Sequence, residues 1–155
     1  MKKITKKCSE VMIKMIRSAI PSDILALKDL CTQLGYEETE SEIKQRLHYI
    51  LNNPDNGFFV YEAQSGCVCG WAHIFGKHFL EGVYAELGGI VVDRAHRRQG
   101  IGRQLLEACE HWAVQHGYTE LRVRSGGTRE KAHQFYRQLG YENTKWQKVF
   151  NRRLT

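Results

Sequence analysis

The sequence predicts an α/β fold with a mixed central sheet, antiparallel in its N-terminal half and parallel later, flanked by about four helices. Three observations carry this. Two runs rich in aromatic and β-branched residues, Phe58 to Ala63 and Cys67 to Phe79, are joined by Gln64-Ser-Gly66, a hairpin signature. Two later strands, Tyr84 to Val92 and Thr119 to Arg124, flank a helical stretch, and such a crossover implies local parallel pairing. Four segments repeat their apolar residues at helical spacing.

In chain order, Val11 to Ala19 reads as a first strand closed by Pro21. Ser22 and Asp23 can cap a helix with Ile24, Leu27, Leu30, Cys31 and Leu34 on one face, ended by Gly35. Thr39-Glu-Ser-Glu42 is a capping box, and Ile43, Leu47, Ile50 and Leu51 follow at helical spacing before Asn52-Asn-Pro54 stops the helix. The hairpin comes next, and then the strand Tyr84 to Val92, whose short link suggests a third antiparallel neighbour. Gly88-Gly89 within it predicts a bulge or a close approach of a ligand to the backbone. From Gly100 a helix places Ile101, Leu105, Cys109, Trp112 and Ala113 on one face, and Gly117 ends it. Ser125-Gly-Gly-Thr128 leads to a helix bearing Ala132, Phe135, Tyr136 and Leu139, ended by Gly140. Trp146 to Leu154 reads as a last strand.

The bulk numbers set bounds. The 155 residues suffice for one domain over 11–155, with 1–10 as a flexible basic tail. Of the net charge of +6, Lys2, Lys3, Lys6 and Lys7 against Glu10 contribute +3. The remainder is mildly basic, which gives little support to a nucleic-acid partner. No stretch has the length to span a membrane and no secretory signal is visible. The five cysteines, odd in number and set within element patterns, fit reduced thiols in a cytoplasm. Cys67-x-Cys69 lacks the spacing and second pair of a metal site, so no metal is expected. Both thiols are expected on one strand face, packed as small apolar groups.

The chain is organised around Tyr84 to Gly117. An apolar strand carrying Glu86 runs into the basic turn Arg94-Ala-His-Arg-Arg-Gln99, then Gly100-Ile-Gly102, then a helix N-terminus. Free N–H groups, the helix dipole and glycine suit such a turn to phosphate. The dinucleotide fingerprint fails because Leu105 stands where a third glycine is needed, and the P-loop fails for lack of Gly-Lys-Ser/Thr. What remains is Arg97-x-x-Gly100-x-Gly102. This resembles the acetyl-coenzyme A signature of the GNAT superfamily of N-acetyltransferases, Gln/Arg-x-x-Gly-x-Gly/Ala. The second signature of that family is matched by Ala132-His-Gln-Phe-Tyr136-Arg-Gln-Leu-Gly-Tyr141, and the order of elements agrees over about Met15 to Leu154.

The resemblance implies that backbone amides of Arg97, Arg98, Gln99, Gly100, Ile101, Gly102 and Arg103 cradle the coenzyme A pyrophosphate. Ile90, Val91 and Val92 would pair with the pantetheine arm where the parallel strands splay apart. It also implies transfer of acetyl from acetyl-coenzyme A, as co-substrate, to a primary amine in a ternary complex. An alkyl amine is mostly protonated at neutral pH, so a base is needed. Glu86 matches a base position found in some members, acting directly or through water, and is otherwise a solvated residue or the partner of an arginine. The oxyanion needs an N–H donor, such as a backbone amide near Val91. Tyr136 matches the family's acid for the departing thiolate, since a phenol with a pKa of roughly 10 is protonated at pH 7; its alternative is core packing.

His73 and His78 are rival bases, and His96 reads as a solvated loop residue. Trp71 and Phe75 line either core or acceptor pocket. The family's frequent Asn is Arg129 here, with either Ser125 and Thr128 as substitutes for its contacts or Arg129 meeting a phosphate instead. The expected partner is a small-molecule or protein amine, with no nucleic acid and no membrane, and a homodimer is compatible with the family. Two further readings keep the fold: a transferase for another acyl-coenzyme A, and a non-catalytic acyl-coenzyme A sensor or interaction module.

Overall fold

A computed structural model describes residues 15–155 of the chain. They fall in two units, 15–124 and Ser125–Thr155. The first holds a sheet of β1 (Ile16–Ser18), β2 (Asn56–Glu62), β3 (Val68–Phe79), β4 (Gly82–Val92) and β5 (Leu121–Val123), in that spatial order. Pairing is antiparallel from β1 to β4 and parallel between β4 and β5. The mixed sheet predicted from the sequence is therefore present. The predicted first strand is shorter, with Val11 to Lys14 outside the described residues.

Between β1 and β2 lie α1 (Ile24–Gln33) and α2 (Glu40–Leu51). The Thr39 hydroxyl accepts from the Glu42 amide while the Glu42 carboxylate accepts from the Thr39 amide, the reciprocal cap written in the sequence. Leu27 and Leu30 of α1, and Ile43 and Leu47 of α2, pack with Val60, Trp71 and Val91 on one face of the sheet. The third helix, α3 (Ile101–Gln115), takes the other face and buries Ile101, Leu105, Leu106, Cys109, Trp112 and Ala113. Its five predicted face residues are all in that set. Small residues on β2 and β3 let α3 approach: a Cβ on Gly57 would meet Ile74 and Trp112 at 2.8 and 2.9 Å, and one on Gly70 would meet Leu105 at 3.1 Å.

Arg17 binds the start of α1 to the sheet. Its guanidinium donates two bonds to Asp23, at 2.8 and 2.9 Å, and one to Glu62 at 2.6 Å. Burial alone would raise the Asp23 carboxyl, but Arg17 and the Ile20 amide outweigh it and hold the group below its ordinary range.

In the second unit, α4 (Glu130–Gln138) ends at Gly140, whose φ is +87°. No residue of α4 is buried. The predicted last strand, Trp146 to Leu154, does not form. Its apolar residues fall at 146, 149, 150 and 154, which breaks the two-residue period of a strand, and Lys148, Asn151, Arg152 and Arg153 interrupt them. Trp146, Val149, Phe150 and Leu154 are all exposed.

Candidate active site

β4 leads to the site. Its parallel pairing with β5 covers only Ala85, Glu86 and Leu87, opposite Leu121, Arg122 and Val123. β4 then runs on to Val92 without β5, which leaves its Gly88–Val92 edge unpaired by that strand. The predicted splay of the parallel strands is visible here. The Val91 side chain is buried in the α1–α2 core, so this stretch has its backbone edge to offer a ligand.

Of the two alternatives predicted for Gly88-Gly89, the structure shows the bulge. The register with β3 slips between His73 and Ile74, which makes Gly88 the extra residue of a bulge. The close approach comes from rings of β3: a Cβ on Gly88 would stand 2.7 Å from His73 Nδ1, and one on Gly89 2.9 Å from Trp71.

After Val92 the chain makes a short 3-10 turn at Arg94–His96. Asp93 organises it. Its carboxylate accepts from Gln33 Nε2 at 2.7 Å, His96 Nδ1 at 2.8 Å and the Ala95 amide at 3.1 Å, while Gln33 Oε1 accepts from the Arg94 amide. The Gln33 and His96 bonds hold the Asp93 carboxyl below its ordinary range. His96 is thus a fixed, half-buried partner of Asp93, a correction to the solvated loop residue expected. Arg97 donates from Nε to the Val92 carbonyl at 3.1 Å.

Arg98 adopts φ +60°, the described non-glycine residue with left-handed backbone, and Gly100 follows at φ +78° as the N-cap of α3. Gly100 has no side-chain cap, the first helical turn has no acidic residue, and the first intrahelical bond is Gln104 N–H to the Gly100 carbonyl. The preceding N–H groups of α3 are therefore left for an anion, with the positive end of the helix dipole behind them. A Cβ on Gly100 would meet nothing within 4 Å. Arg97, Arg98, Gln99 and Gly100 are exposed around this opening. The donor set and charge fit a pyrophosphate.

Glu86 lies on β4 two residues before the bulge and is 6% exposed. Arg124 Nε donates to Oε1 at 3.0 Å. Lys77 Nζ stands 2.9 Å from Oε2 but off the hydrogen-bonding direction, so that oxygen has an ionic neighbour and no aligned donor. Lys77 also lies 5.7 Å from the centre of the Phe75 ring and 6.0 Å from that of Phe79. Arg122 stacks its guanidinium 3.9 Å above the Tyr84 ring. Lys77, Arg122 and Arg124 escaped the sequence reading because only strand register brings them to Glu86 and Tyr84.

His73 Nε2 bonds Asn56 Oδ1 at 2.8 Å, and burial pushes its pKa down to about 4. His78 is exposed and held elsewhere, with Nε2 3.1 Å from the Tyr118 hydroxyl and 3.4 Å from Asp55. Tyr118 donates to Asp55, and burial followed by that carboxylate pushes the phenol up to about 12. Trp71 is buried core, stacked on Phe58 at 5.2 Å, whereas Phe75 is half-buried.

Cys67 and Cys69 do not share a packed face: Cys67 precedes β3 and is exposed, and Cys69 is buried under the Tyr61 carbonyl. Burial pushes Cys109 up to about 12, which removes it as a nucleophile. No cluster of metal-ligating side chains occurs among the described residues.

Tyr136 lies on α4 in the second unit, half-buried rather than in a core. Its ring meets Phe135 and Tyr141 edge-on at 5.3 and 5.8 Å, and its carbonyl accepts from the Tyr141 amide. Arg129 occupies the N-cap of this helix without a side-chain cap.

The profile of the acetyltransferase (GNAT) family matches residues 23–141. An aminoglycoside N(6')-acetyltransferase type 1 of Stenotrophomonas maltophilia is 28% identical over 134 residues, spanning 83% of this chain and 86% of the relative. An uncharacterized N-acetyltransferase of Methanocaldococcus jannaschii is 28% identical over 100 residues, 61% of this chain, which spans only 42% of that relative's length. The fold matches aminoglycoside acetyltransferase AAC(6')-Iy, solved with the bisubstrate analogue CoA-S-monomethyl-acetylneamine, at a TM-score of 0.80 and 22% identity. That match covers 90% of this chain and 97% of the other. The profile spans most of the chain, including β4, the anion turn and α4: the chain belongs to the acetyltransferase (GNAT) family.

Proposed function

We propose that this protein transfers acetyl from acetyl-coenzyme A to a primary amine of a small, multiply charged amine, of which an aminoglycoside is one class. The observation that carries the reading is the continuity of β4: an edge open past Leu87, then a turn of exposed arginines, then an uncapped helix N-terminus. Family membership supplies the reaction class, acyl transfer from acyl-coenzyme A to nitrogen. The Stenotrophomonas relative, matched over most of both chains, supports the acceptor class. So does Tyr36-Glu-Glu-Thr-Glu-Ser-Glu42, which runs from the α1–α2 link into the first turn of α2 and carries four carboxylates. Of these, Glu38 pairs with Arg46 and Glu42 caps Thr39, so that Glu37 and Glu40 would draw in a cation. The four described cysteines are free, which suits a cytoplasmic setting.

The amides from Arg97 to Arg103 hold the pyrophosphate, and Ile90 to Val92 offer backbone groups to the pantetheine arm. When bound, acetyl-coenzyme A supplies an acyl carbon activated by its thioester. Glu86, directly or through water, accepts the proton that the incoming ammonium must lose. A backbone N–H near Val91 meets the developing oxyanion, and Tyr136 gives its proton to the departing thiolate. The C–N bond forms as the C–S bond breaks. An alkylammonium and the thioester become an amide, coenzyme A thiol and one released proton.

Calorimetry with coenzyme A and a thiol-release assay over a panel of amines test this. Micromolar coenzyme A binding is expected, weakened about tenfold by Arg98→Ala, the loss of one charged contact. Turnover should be fastest on aminoglycosides such as neamine. Absence of coenzyme A binding would sink the reading, and binding with no turnover on any amine would reassign the protein as an acyl-coenzyme A sensor.

A further inference from the structure

We propose that Glu86 Oε2, walled by Phe75 and Phe79, is the seat for the acceptor's alkylammonium group, and that Lys77 fills it until an acceptor arrives. The assignment rests on the acetyl-transfer reading above and adds to it the subsite that selects the amine.

Strand register assembles the seat. Phe75 stands opposite Glu86 and Lys77 opposite Tyr84 across the β3–β4 pair. These side chains therefore share one face of the sheet with Phe79, two residues beyond Lys77. On the other side of β4, Arg122 is opposite Glu86, and Arg124 follows two residues later. Glu86 thus lies between a cation from each side, and the two hold it differently. Arg124 Nε donates to Oε1 at 3.0 Å. Lys77 Nζ comes within 2.9 Å of Oε2, yet Oε2 receives no hydrogen bond.

The surroundings of Lys77 Nζ suit any primary alkylammonium. The Phe75 and Phe79 ring centres are 5.7 and 6.0 Å from the nitrogen, within the range at which an aromatic face attracts a cation. The carboxylate oxygen supplies the opposite charge. Lys77 itself demonstrates the room, because an ammonium on an unbranched carbon chain already stands there. The seat also lies where an acceptor is needed: Glu86 is two residues upstream of Gly88, at which the edge of β4 opens to the thioester arm.

Lys77 can leave and Glu86 cannot. The Lys77 side chain is 28% exposed and Phe79 is half exposed, whereas the Glu86 side chain is 8% exposed. Lys77 therefore reaches water by turning its flexible stem. Departure without replacement would leave a buried carboxylate short of one of its two cations, which is costly. Exchange of one ammonium for another keeps the charge balanced. A hydroxyl or a neutral amine offers no such balance, so the seat discriminates by charge in favour of an alkylammonium. It delivers that ammonium to Oε2, the oxygen without an aligned donor, while Arg124 holds Oε1.

Removing the occupant tests this. With neamine and acetyl-coenzyme A, Lys77→Ala should lower KM about fivefold and raise kcat/KM to match, the competition expected of one partly exposed ion pair. Lys77→Arg keeps the charge but can grip the carboxylate with two parallel donors, and should raise KM by at least about threefold. A loss of kcat/KM in Lys77→Ala overturns the assignment and makes Lys77 a positioning residue for Glu86. An unchanged KM in Lys77→Arg beside a lowered one in Lys77→Ala also overturns it, since general charge repulsion would then suffice. Propylammonium chloride, which has the carbons and nitrogen that Lys77→Ala removes, reads the seat without turnover when titrated into the coenzyme A complex and followed by NMR. It should bind Lys77→Ala about fivefold more tightly than wild type, and adding Glu86→Gln should abolish that gain. Equal binding to wild type and Lys77→Ala overturns the seat. Any of these results beside an active wild type overturns this assignment alone, whereas a wild type that turns over no amine overturns it together with the acetyl-transfer reading. If Lys77→Ala fails to fold, Lys77→Met, which also leaves the Nζ position empty, takes its place in both measurements.

Discussion

At the scale of single residues, the buried carboxylate of Glu86 concentrates the chemistry. Its two oxygens face Arg124 and Lys77, cations from just beyond β5 and from β3. Removing the charge with Glu86→Gln leaves both cations able to reach water, because Lys77 is 28% and Arg124 49% exposed in their side chains. The stability loss should stay below about 2 kcal/mol. If Glu86 is the base, the rate should fall by about 100-fold. The loss should be largest at low pH, where few amines are already deprotonated. A uniform loss across the pH–rate profile would assign Glu86 to the ion pair alone. Tyr136→Phe should slow turnover by about 10- to 100-fold, within the range for a lost proton donor. Its melting temperature should stay near wild type, because phenylalanine keeps the ring and its edge-on contacts with Phe135 and Tyr141. Thermal melting beside kcat measures both halves of that expectation.

At the scale of elements, the junction of β4 with α3 is set by backbone conformation. Gly100 takes φ +78° in open space, so a larger residue there suffers backbone strain without a steric clash. Gly100→Val should cost about 1–2 kcal/mol in denaturant unfolding. Coenzyme A affinity should drop by at least about tenfold, because a branched side chain would then stand before the amides. Equal coenzyme A affinity in calorimetry would remove the turn from the binding site. The same turn shows which local signals a sequence carries. Gly-x-Gly, the basic residues and the apolar face of α3 are readable because each depends on neighbours within about one helical turn. The Asp93 and Gln33 bonds that brace the turn join residues sixty apart, and only the Asp93 half had a local cue, an Asx-type turn to Ala95.

At the scale of the whole molecule, the buried imidazole of His73 makes stability depend on pH. Its pKa is lowered from 6.5 to about 4 by burial, so between those values the unfolded chain binds more protons than the folded one. Stability is unaffected by this group above pH 6.5 and falls as pH drops from 6.5 toward 4, by up to about 3 kcal/mol. Asp23 and Asp93, both held low in the fold, add further loss at more acidic pH. Melting temperatures measured from pH 7 to pH 4 should slope downward, and His73→Gln should flatten the part between 6.5 and 4. An unchanged slope would place the titration on another group.

The sequence by itself determined the mixed α/β class, the capping box of α2, the glycine ends of α1, α3 and α4, the packed face of α3, the basic Gly-x-Gly turn and the family, because these are local patterns or short motifs. The expected Ser22/Asp23 cap of α1 does not form, since the Asp23 carboxylate is taken by Arg17 and the Ile20 amide. It overreached at Trp146 to Leu154, where apolar content without a two-residue period forms no strand. Only the tertiary structure decided what surrounds Glu86, how His73 is held between Asn56 and Gly88, and why two glycines stand together in β4. Those facts depend on the register among β2, β3, β4 and β5, and on a one-residue bulge within it. Register is settled by the summed packing of whole strands, which no short stretch of sequence encodes.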